Sequence, residues 1–493
     1  MLVRLNTVCT LGLDLGTSSA KAVVVDTGGQ ILAQVSADYA VTSAAAGYAE
    51  SEPAHWWNAV TTCARQAVDA AGARPAAIGL SGQMHGLVMA SATGEALRPA
   101  LLWADSRATS SLHAYRLLGS RALARLANPL APGMTGPLLM WIAEHEPRTY
   151  TEARWALQPK DWLRTRLTGE VHAEPSDASA TLLYDVMGDR WDREVVSALG
   201  LDASLLAPVL PSAGAPAGHL LAETGTDLGL PAGIPVAAGA ADTAAAALGT
   251  GLGLGDIQLT VGTGAQVIRP LVAPVSRADA GVNLYRSATP DGWYHMGATL
   301  SAGLSLNWVR ETMNATWPEL YASADRPGRA HDPIFVPHLS GERTPYSDPA
   351  LRGSWTGLSL ADDRTSLLRS ALEGTAFAIR DALDALLADQ RPARLRLAGG
   401  GTLAAGWRQL LADVLEVPLY AVEVPAASAR GAALLGAHAA GLLSFDDIQG
   451  PLAPPARLAA EPDPTTAAFH AERYAAFRRI VSALRGCSAE GAA

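Results

Sequence analysis

The stretch LGLDLGTSSAK, residues 11–21, places one carboxylate inside a short apolar run that then breaks into a Gly-Thr-Ser-Ser turn. Asp14 lies between Leu13 and Leu15, where a charged side chain is costly to bury unless a cation or a hydrogen-bond donor meets it. The turn offers small side chains, hydroxyls and backbone N–H groups, as a phosphate-binding turn requires. We interpret the stretch as one end of a metal-nucleotide site; a buried carboxylate that only caps the turn is the alternative.

The composition is that of a globular protein with sizeable cores. The chain has 493 residues, 49% of them hydrophobic and 17% charged, and this length favours more than one domain. The formal net charge is -10 and no basic stripe is interleaved with aromatics, so we expect no nucleic-acid partner. Residues 230–254 are apolar, but Pro231, Pro235 and Asp242 interrupt them, so we expect no membrane span.

The cysteines predict neither a zinc site nor a disulfide framework. Cys9, Cys63 and Cys487 lie far apart and form no C-x-x-C pair, which fits a reducing compartment. The N-terminus reaches Asp14 before an apolar signal-peptide core is complete. We therefore expect a cytoplasmic protein.

The opening motif has a partial echo about half a chain later. The pattern LDLGTS at 13–18 returns as LTVGTG at 259–264, and each copy is an apolar strand that breaks into a Gly-Thr turn. We interpret the chain as two α/β halves that divide near 249–255. The two phosphate turns would then meet in a cleft between the halves.

In the first half, apolar segments deliver polar side chains at their ends. After the opening turn, residues 20–35 carry the pattern of an antiparallel meander. Three later apolar segments lead to candidate site residues. Residues 76–80 lead to Gln83, Met84 and His85, residues 101–103 end at Trp103 and lead to Asp105, and residues 236–238 lead to Asp242. Asp242 would begin an alanine-rich helix, where a plain N-cap is the alternative role.

The second half follows a strand-turn-helix pattern. Residues 366–387 form the best amphipathic helix of the chain, and the strand 395–398 breaks at Gly399, Gly400 and Gly401. A run of three glycines is often only a flexible turn, so its weight comes from the flanking strand and helix. The helix 429–442 is expected to close this half.

Taken in order, these motifs resemble the FGGY family of carbohydrate kinases, and most closely its xylulokinases, over residues 11–442. LDLGTSSAK resembles the first phosphate motif of the family, TVGTGA its second and LAGGGTL its adenosine motif. SGQMHG, WADSR, PKDWLRTRLTG and LSGERTP resemble the xylulokinase versions of more variable segments. The resemblance implies two actin/Hsp70/hexokinase-like, ribonuclease H-like α/β domains with an interdomain cleft. These would be a sugar-binding domain (1–250), a nucleotide-binding domain (251–450) and a C-terminal helical tail (451–493).

The resemblance also implies the chemistry: in-line phosphoryl transfer from ATP, with Mg2+, to a ketopentose, most closely D-xylulose at its 5-hydroxyl. It makes Asp242 the general base and Asp14 the metal-binding carboxylate. The remaining implied ligands are Gln83, Met84, His85, Trp103, Asp105 and Asp242 for the sugar, Thr17, Ser18, Gly262, Thr263 and Gly264 for the phosphates, and Gly399, Gly400 and Gly401 for the adenosine. The expected partners are thus a sugar and ATP, with a homodimer as one possible assembly.

Several of these residues have plainer alternative roles. A lone histidine such as His85 is usually structural, and Asp105 with Arg107 could form a surface ion pair. Thr243 stands where many xylulokinases carry Asn directly after the base, which leaves ribulose, another ketose or a polyol open as the substrate. From a different class, an actin-like, nucleotide-switched binding protein is the alternative, and it would not need Asp242 together with the QMHG segment.

Overall fold

The first sheet begins with the predicted meander. The computed structural model describes the backbone of residues 8–388 and 390–490, and side chains up to residue 486. Strands β1 (Cys9–Leu15), β2 (Ser19–Asp26) and β3 (Ile31–Asp38) pair antiparallel in chain order. Every side chain of β1 is buried, whereas exposed residues alternate along β3, because β1 is a central strand and β3 lies at the edge of the sheet.

Helix α1 (Pro53–Ala71) packs on this meander, and its ends follow from the sequence. Pro53 lies at the first helical position, and Gly72 ends the helix in the left-handed region with φ of 60°. The rest of the first half contains β4 (Glu50–Ser51), β5 (Ile78–Gly82), β6 (Val88–Ala90), β7 (Ala100–Leu101), α2 (Leu112–Leu117), α3 (Ser120–Leu126), α4 (Thr135–His145), α5 (Pro147–Glu152), β8 (Trp155–Leu157), α6 (Pro159–Thr168), α7 (Pro175–Ala178), β9 (Tyr184–Asp185), β10 (Arg190–Trp191), α8 (Arg193–Ala198), β11 (Pro216–His219), α9 (Ala222–Leu228), β12 (Pro235–Ala237), β13 (Ala240–Ala241) and α10 (Asp242–Gly249).

The second half repeats the pattern of a meander followed by a helix and parallel strands. Its elements are β14 (Gln258–Val261), β15 (Ala265–Leu271), β16 (Asn283–Arg286), β17 (Trp293–Thr299), α11 (Gly303–Thr312), α12 (Trp317–Ala322), β18 (Ile334–Val336), β19 (Ser354–Thr356), α13 (Arg364–Leu387), β20 (Leu395–Ala398), α14 (Ala405–Leu415), β21 (Leu419–Ala421), α15 (Ala427–Ala439), α16 (Phe445–Gln449), β22 (Arg457–Ala460) and α17 (Ala467–Glu490). Short 3-10 helices lie at Arg107–Thr109, Ala203–Leu205, Ala278–Ala280, Ser323–Asp325 and Gly400–Thr402.

The two large sheets share one strand order. In the first sheet the successive neighbours are β3, β2, β1, β5 and β12. In the second sheet they are β17, β15, β14, β20 and β21. In each sheet the first three strands of this series are antiparallel and the next two continue parallel. The prediction of two α/β halves, each opened by a strand and a Gly-Thr turn, is therefore confirmed.

Helix α15 lies elsewhere than the sequence suggested. We expected it to close the second half, but it packs on β1 and β5 of the first sheet and against α10. The approach is backbone to backbone: a Cβ added to Gly12 would lie 1.9 Å from the Ala429 carbonyl oxygen, and one added to Gly79 would lie 1.7 Å from that of Ala432. Only glycine permits such contact, and α15 thereby joins the two halves.

Each half has its own apolar core. The first core surrounds β1, β5 and α1, and the second surrounds β14, α13 and α14. A third cluster includes residues of α10, α15, β16 and β17, and so spans the two halves. Cys9 and Cys63 are buried free thiols, and the side chain of Cys487 lies outside the described residues.

Candidate active site

Asp14 lies near the end of β1, between two polar neighbours on adjacent strands. Its cross-strand partners are Lys21 on β2 and Ser81 on β5, and the Ser81 hydroxyl donates to Asp14 Oδ1 at 3.0 Å. The residue is only 6% exposed. Burial raises the pKa of Asp14, while the Lys21 charge and the Ser81 hydrogen bond act in the opposite direction. Sequence reasoning missed Lys21, although a hairpin brings it beside the carboxylate.

The turn after β1 is tied to both polar segments that follow in the chain. The Gly16 carbonyl accepts hydrogen bonds from the Tyr39 hydroxyl and from Gln83 Nε2, the latter at 3.1 Å. Trp103 Nε1 donates to the Thr17 hydroxyl at 2.8 Å. Gln83 and Trp103, predicted as sugar ligands, therefore also hold the predicted phosphate turn. Ser18, in the same turn, is exposed.

Asp242 stands beside this turn, because β13 pairs with β5. Ala241 is the register partner of Gly82, so the first residue of α10 follows the strand next to β1. No side chain caps α10, and the Thr243 hydroxyl donates to Asp242 Oδ1 at 3.1 Å. The plain N-cap role is thus not the one that Asp242 has here.

The pKa of Asp242 is shifted into the neutral range. Burial and the nearby Asp14 carboxylate raise it to about 7, against the Thr243 hydrogen bonds and the Lys21 charge. Two carboxylates in reach of each other resist ionising together. A carboxyl with this pKa is suited to accept a proton at neutral pH.

His85 and Met84 face a wall supplied by the second half of the chain. His85 adopts a φ of 68°, and its Nδ1 lies 2.8 Å from the Ala180 carbonyl oxygen. Burial and Arg343 lower the pKa of His85 to about 4, so the ring is neutral, Nδ1 carries the proton that it donates, and Nε2 is left as an acceptor. Met84 belongs to the apolar cluster that also contains Tyr285.

Tyr285 and Arg343 were not predicted from the sequence. The Tyr285 ring lies 6.1 Å from the His85 ring, and its hydroxyl is buried beside the Asn283 side chain. Arg343 is half-buried, and its guanidinium meets no carboxylate within 4.0 Å in the described part of the chain. Its neighbour Glu342 accepts from the Leu300 and Arg343 N–H groups, both at 2.8 Å, and so fixes the backbone there. The LSGERTP segment, noted for its resemblance, was the available signal.

Asp105 forms a buried ion pair with Arg107. Its carboxylate accepts from Arg107 Nε at 2.9 Å and Arg107 Nη2 at 2.7 Å, and from the Ala49 N–H at 2.8 Å. The pair is buried, not at the surface as the alternative had it. These contacts engage both oxygens, and the assignment of Asp105 as a sugar ligand stays a prediction. Trp103, which is 36% exposed, remains open to the cleft.

The second Gly-Thr turn and the glycine run lie together in the second half. The turn carbonyls of Gly262 and Thr263 accept from the Gly303 and Leu304 N–H groups at 3.0 and 2.8 Å, at the start of α11. Gly399 has a φ of 94°. A Cβ there would lie 2.3 Å from the Val261 carbonyl oxygen, so no other residue fits.

A cavity of about 550 Å³ opens beside Gly399 and Gly400. Its lining also includes Ala246 of α10, Thr260 of β14 and Ser428 of α15, so both halves contribute to it. The volume is typical of a cofactor-sized site. A Cβ on Gly400 would meet nothing within 4 Å, whereas Gly401 abuts Val261 and is absent from the lining. The cavity adjoins the helix that Asp242 begins.

The residues near Asp14 fit a magnesium ion held largely by water and phosphate oxygens. In the described ranges, Asp14 accepts a hydrogen bond at Oδ1, which leaves Oδ2 of this buried carboxylate for a cation. Among residues 8–388 and 390–490 no group of three or more His, Cys, Asp and Glu side chains could hold a metal. Such a group is not required, because Mg2+ is usually bound by one or two carboxylates together with substrate phosphates. No helix in the described ranges is long and apolar enough to cross a membrane.

Comparison with known proteins agrees with this geometry. The N-terminal domain model of the FGGY family of carbohydrate kinases matches residues 9–249, and the C-terminal domain model matches residues 258–440. The chain is 31% identical to the xylulose kinase of Bacillus subtilis (strain 168), covering 87% of this chain and 88% of the relative. It is 33% identical to the xylulose kinase of Klebsiella pneumoniae, with 96% and 99% covered.

A solved structure is similar over the whole chain. The crystal structure of a "xyloylose kinase" from Brucella ovis is 33% identical, superposes with a TM-score of 0.89, and covers 97% of this chain and 100% of its own. The family resemblance predicted from the motifs is therefore confirmed. With both domain models matched in order and the carboxylates of the motifs meeting at one sheet edge, the chain belongs to the FGGY family of carbohydrate kinases.

Proposed function

We propose that this carbohydrate kinase transfers the γ-phosphoryl group of ATP to the 5-hydroxyl of D-xylulose. The observation that carries the proposal is the position of Asp242: a carboxylate with a pKa near 7 at the strand end beside Asp14 and the Gln83-Met84-His85 segment. Relatives that are about one-third identical over most of their length are xylulose kinases, which supports the choice of sugar. D-xylulose would become D-xylulose 5-phosphate.

Asp242 acts as the general base in this proposal. Because its pKa is raised to about 7, the Asp242 carboxyl changes protonation state in the neutral range, and its ionised form can accept the proton of the sugar hydroxyl. A carboxylate is a weak base for an alcohol, so holding the hydroxyl in line contributes as much as removing its proton. The Thr243 hydroxyl fixes the carboxylate orientation through Oδ1.

Asp14 and Lys21 form the charged side of the phosphate site. When bound, Mg2+ would neutralise charge on the transferred phosphoryl oxygens. Asp14 would hold it through the oxygen that Ser81 leaves open, directly or through water. Lys21 lies across the hairpin, where its ammonium can face phosphate oxygens while offsetting the Asp14 charge.

The sugar would lie between the QMHG segment and the second half. His85 Nε2 is available to accept a hydroxyl hydrogen, Met84 gives an apolar wall, and the orphaned Gln83 Oε1 can accept a further bond. The Tyr285 ring would close this side of the sugar site from the second half.

ATP would span the two halves. Thr17 and Ser18 on one side, and Gly262, Thr263 and Gly264 on the other, would present N–H groups and hydroxyls to the phosphates. The adenosine would occupy the cavity beside Gly399, Gly400 and Gly401. Closure around both substrates would exclude water, so that ATP is not hydrolysed without sugar.

A coupled ADP-release assay over a panel of ketoses, aldoses and polyols tests the proposal. We expect D-xylulose to give the highest kcat/KM, and 5-deoxyxylulose, which lacks the accepting hydroxyl, to give none. A second candidate substrate is ribulose, another ketose or a polyol. Thr243 favours it, because many xylulokinases carry Asn at this position. A higher kcat/KM for such a sugar would replace xylulose. If no sugar raised ADP release above the ATP-only rate, the nucleotide-switched binding protein would become the better hypothesis.

Three further properties stay predictions. We propose the division at residues 1–250, 251–450 and 451–493, a cytoplasmic location without nucleic-acid partners, and a homodimer as one possible assembly. Limited proteolysis, cell fractionation and light scattering measure them in that order.

A further inference from the structure

Residues 174–181, here called the bridging segment, contact the turn that carries Asp242. The Ser176 hydroxyl accepts the N–H of Ala241, the residue directly before the base, at 2.9 Å. Ser176 is fully buried on α7. Its hydroxyl bonds to protein groups on both sides, so it fixes the backbone from which Asp242 projects.

The same segment holds two further groups of the site. The Ala180 carbonyl accepts from His85 Nδ1 at 2.8 Å, which orients the sugar-side imidazole. The Ser179 hydroxyl accepts the N–H of Arg286 on β16 at 3.0 Å, next to Tyr285. One short stretch thus connects the base, the histidine and the second half of the chain.

Ser176 is itself held by a buried carboxylate. Its hydroxyl donates to Glu174 Oε1 at 2.7 Å, and the Glu174 carboxylate also accepts the N–H groups of Ser176 and Asp177, each at 2.9 Å. The hydroxyl has one proton to donate, so its bond to Glu174 leaves a lone pair directed at the Ala241 N–H.

A cluster of buried charges supports Glu174. Lys160 Nζ lies 2.6 Å from Asp161, 3.2 Å from Asp177 and 3.4 Å from Glu174, and none of these side chains is more than 1% exposed. Arg164 donates to Asp161 and to the Ala238 carbonyl, both at 2.7 Å. The segment before Asp242 is therefore held at two points. The Ala238 carbonyl accepts from Arg164 of the cluster, and the Ala241 N–H donates to Ser176.

Such a cluster needs an explanation, because buried ion pairs seldom add stability over apolar packing. Burial raises the pKa of Asp177 well above its usual range and favours its neutral form. Lys160 and Arg164 then balance Asp161 and Glu174. The network is balanced in charge, although Asp177 Oδ1 and Oδ2 and Arg164 Nε make no hydrogen bond in the described part of the chain. The short contacts of Lys160 and Arg164 with Asp161, and of Ser176 with Glu174, still favour one geometry of the segment.

We propose that Ser176 is a positioning residue for Asp242, and that the bridging segment sets the base and His85 in one fixed arrangement. The inference rests on the proposed function only in that Asp242 is the base. The bridging segment itself has no role in the proposed function.

The test compares Ser176→Ala, Ser176→Thr and Ser176→Cys in the full-length protein, with D-xylulose and ATP. A displacement of the base of about 1 Å lowers turnover roughly 10- to 100-fold, so we expect that loss of kcat for Ser176→Ala with both KM values within about threefold. Ser176→Thr keeps the hydroxyl and should recover most of the kcat, and Ser176→Cys, with its weaker acceptor, should lie between.

Ser370→Ala is the matched control, because Ser370 is a buried serine that accepts an N–H, from Trp355 Nε1 at 3.0 Å, in the second core. Melting curves and ATP titration give the folded, binding-competent fraction of each variant. A wild-type kcat per folded Ser176→Ala site would overturn the proposal, as would an equal loss in Ser370→Ala. If Ser176→Ala does not fold, equal kcat values for the Thr and Cys variants would overturn it. Failure of the proposed function is separate, since it would appear as a wild-type protein inactive with D-xylulose.

Discussion

The two Gly-Thr turns of this kinase are built on the same scaffold but carry different chemistry. Turn 16–18 joins β1 to β2, and turn 262–264 joins β14 to β15. In the first hairpin the pair across the strands is Asp14 with Lys21; in the second it is Thr260 with Gln266. The parallel neighbour supplies Ser81 in the first sheet and Ala398 in the second.

The difference separates two tasks that a kinase needs. The first half places charge: Asp14, Lys21 and Asp242 are all within electrostatic reach of one another. The second half supplies shape, through a turn without charged side chains and a glycine that permits close backbone approach. Activity should therefore fall when a charge is removed from the first half, or when a methyl group is added to the second half.

Among the charged residues of the first half, we expect Asp242→Asn to cause the largest loss of kcat. The variant keeps the size of the side chain but cannot accept a proton, and general-base catalysis is worth about 10²- to 10⁴-fold. We expect kcat to fall about 10³-fold with the ATP dissociation constant nearly unchanged. Stopped-flow turnover and calorimetric ATP binding measure the two. Unchanged turnover would remove Asp242 from the mechanism.

Asp14→Asn against Thr260→Val tests the matched strand positions directly. Loss of the Asp14 charge should lower kcat about 100-fold or more and raise the Mg2+ concentration for half-maximal rate. Thr260→Val removes a hydroxyl at the equivalent position and should change the KM for ATP by about threefold or less, because a neutral hydrogen bond is weak. Magnesium titrations at saturating ATP measure the first effect, and ATP titrations at saturating magnesium measure the second. Equal effects would contradict the division between charge and shape.

Gly399→Ala against Gly400→Ala sharpens the claim about shape. At Gly399 the φ of 94° and the Val261 carbonyl leave no room for a Cβ, so we expect a loss of about 2 kcal/mol in unfolding free energy and a higher KM for ATP. At Gly400 a Cβ meets nothing, so unfolding should not change while the KM for ATP rises as the methyl enters the cavity. Urea unfolding with steady-state kinetics separates the two. Equal stability of the two variants would count against this role for Gly399.

The smallest expected effect is on stability. Because the folded protein raises the pKa of Asp242 to about 7, the protonated carboxyl stabilises the fold fully below the unfolded pKa, and this contribution is lost as pH rises through 7. Asp242→Asn cannot ionise, so its free energy of unfolding should exceed that of wild type at pH 8 and nearly equal it at pH 4.

Asp192→Asn gives the opposite sign and serves as the control. Although burial raises the pKa of Asp192, hydrogen bonds from Arg125 and from the Val195 N–H lower it overall. This variant should therefore melt lower than wild type at pH 8 and approach it as the pH falls. Parallel pH dependences for the two variants would contradict the raised pKa of Asp242.

Much of the fold followed from local patterns. The helix Pro53–Ala71 had a proline and a glycine at its ends, and the strand Leu395–Ala398 ended at the glycine run as predicted. The internal echo correctly indicated two related sheets. The packing of α15 on β1 and β5 could not be predicted, because it joins Gly12 to Ala429 across most of the chain, and nothing local records that contact.

The candidate site divides in the same way. Local patterns placed Asp14, Gln83 and Asp242 at the ends of apolar strands, and the sheet order of the structure makes these strands neighbours. Tyr285 and Arg343 reach His85 only through the arrangement of the two halves, which no single segment encodes. The partner of Asp105 was two residues away, but its burial depends on tertiary packing.

The close contact of α15 with the first sheet has a consequence for directed evolution. Gly12 and Gly79 tolerate no larger side chain, so random libraries that include these codons will lose a large share of their clones before any sugar is tested. Trp103 and Arg343 are the less buried side chains near the proposed sugar site and are not constrained in this way. Codon randomisation confined to that set should give more folded variants per clone screened, and therefore a wider range of sugar preferences.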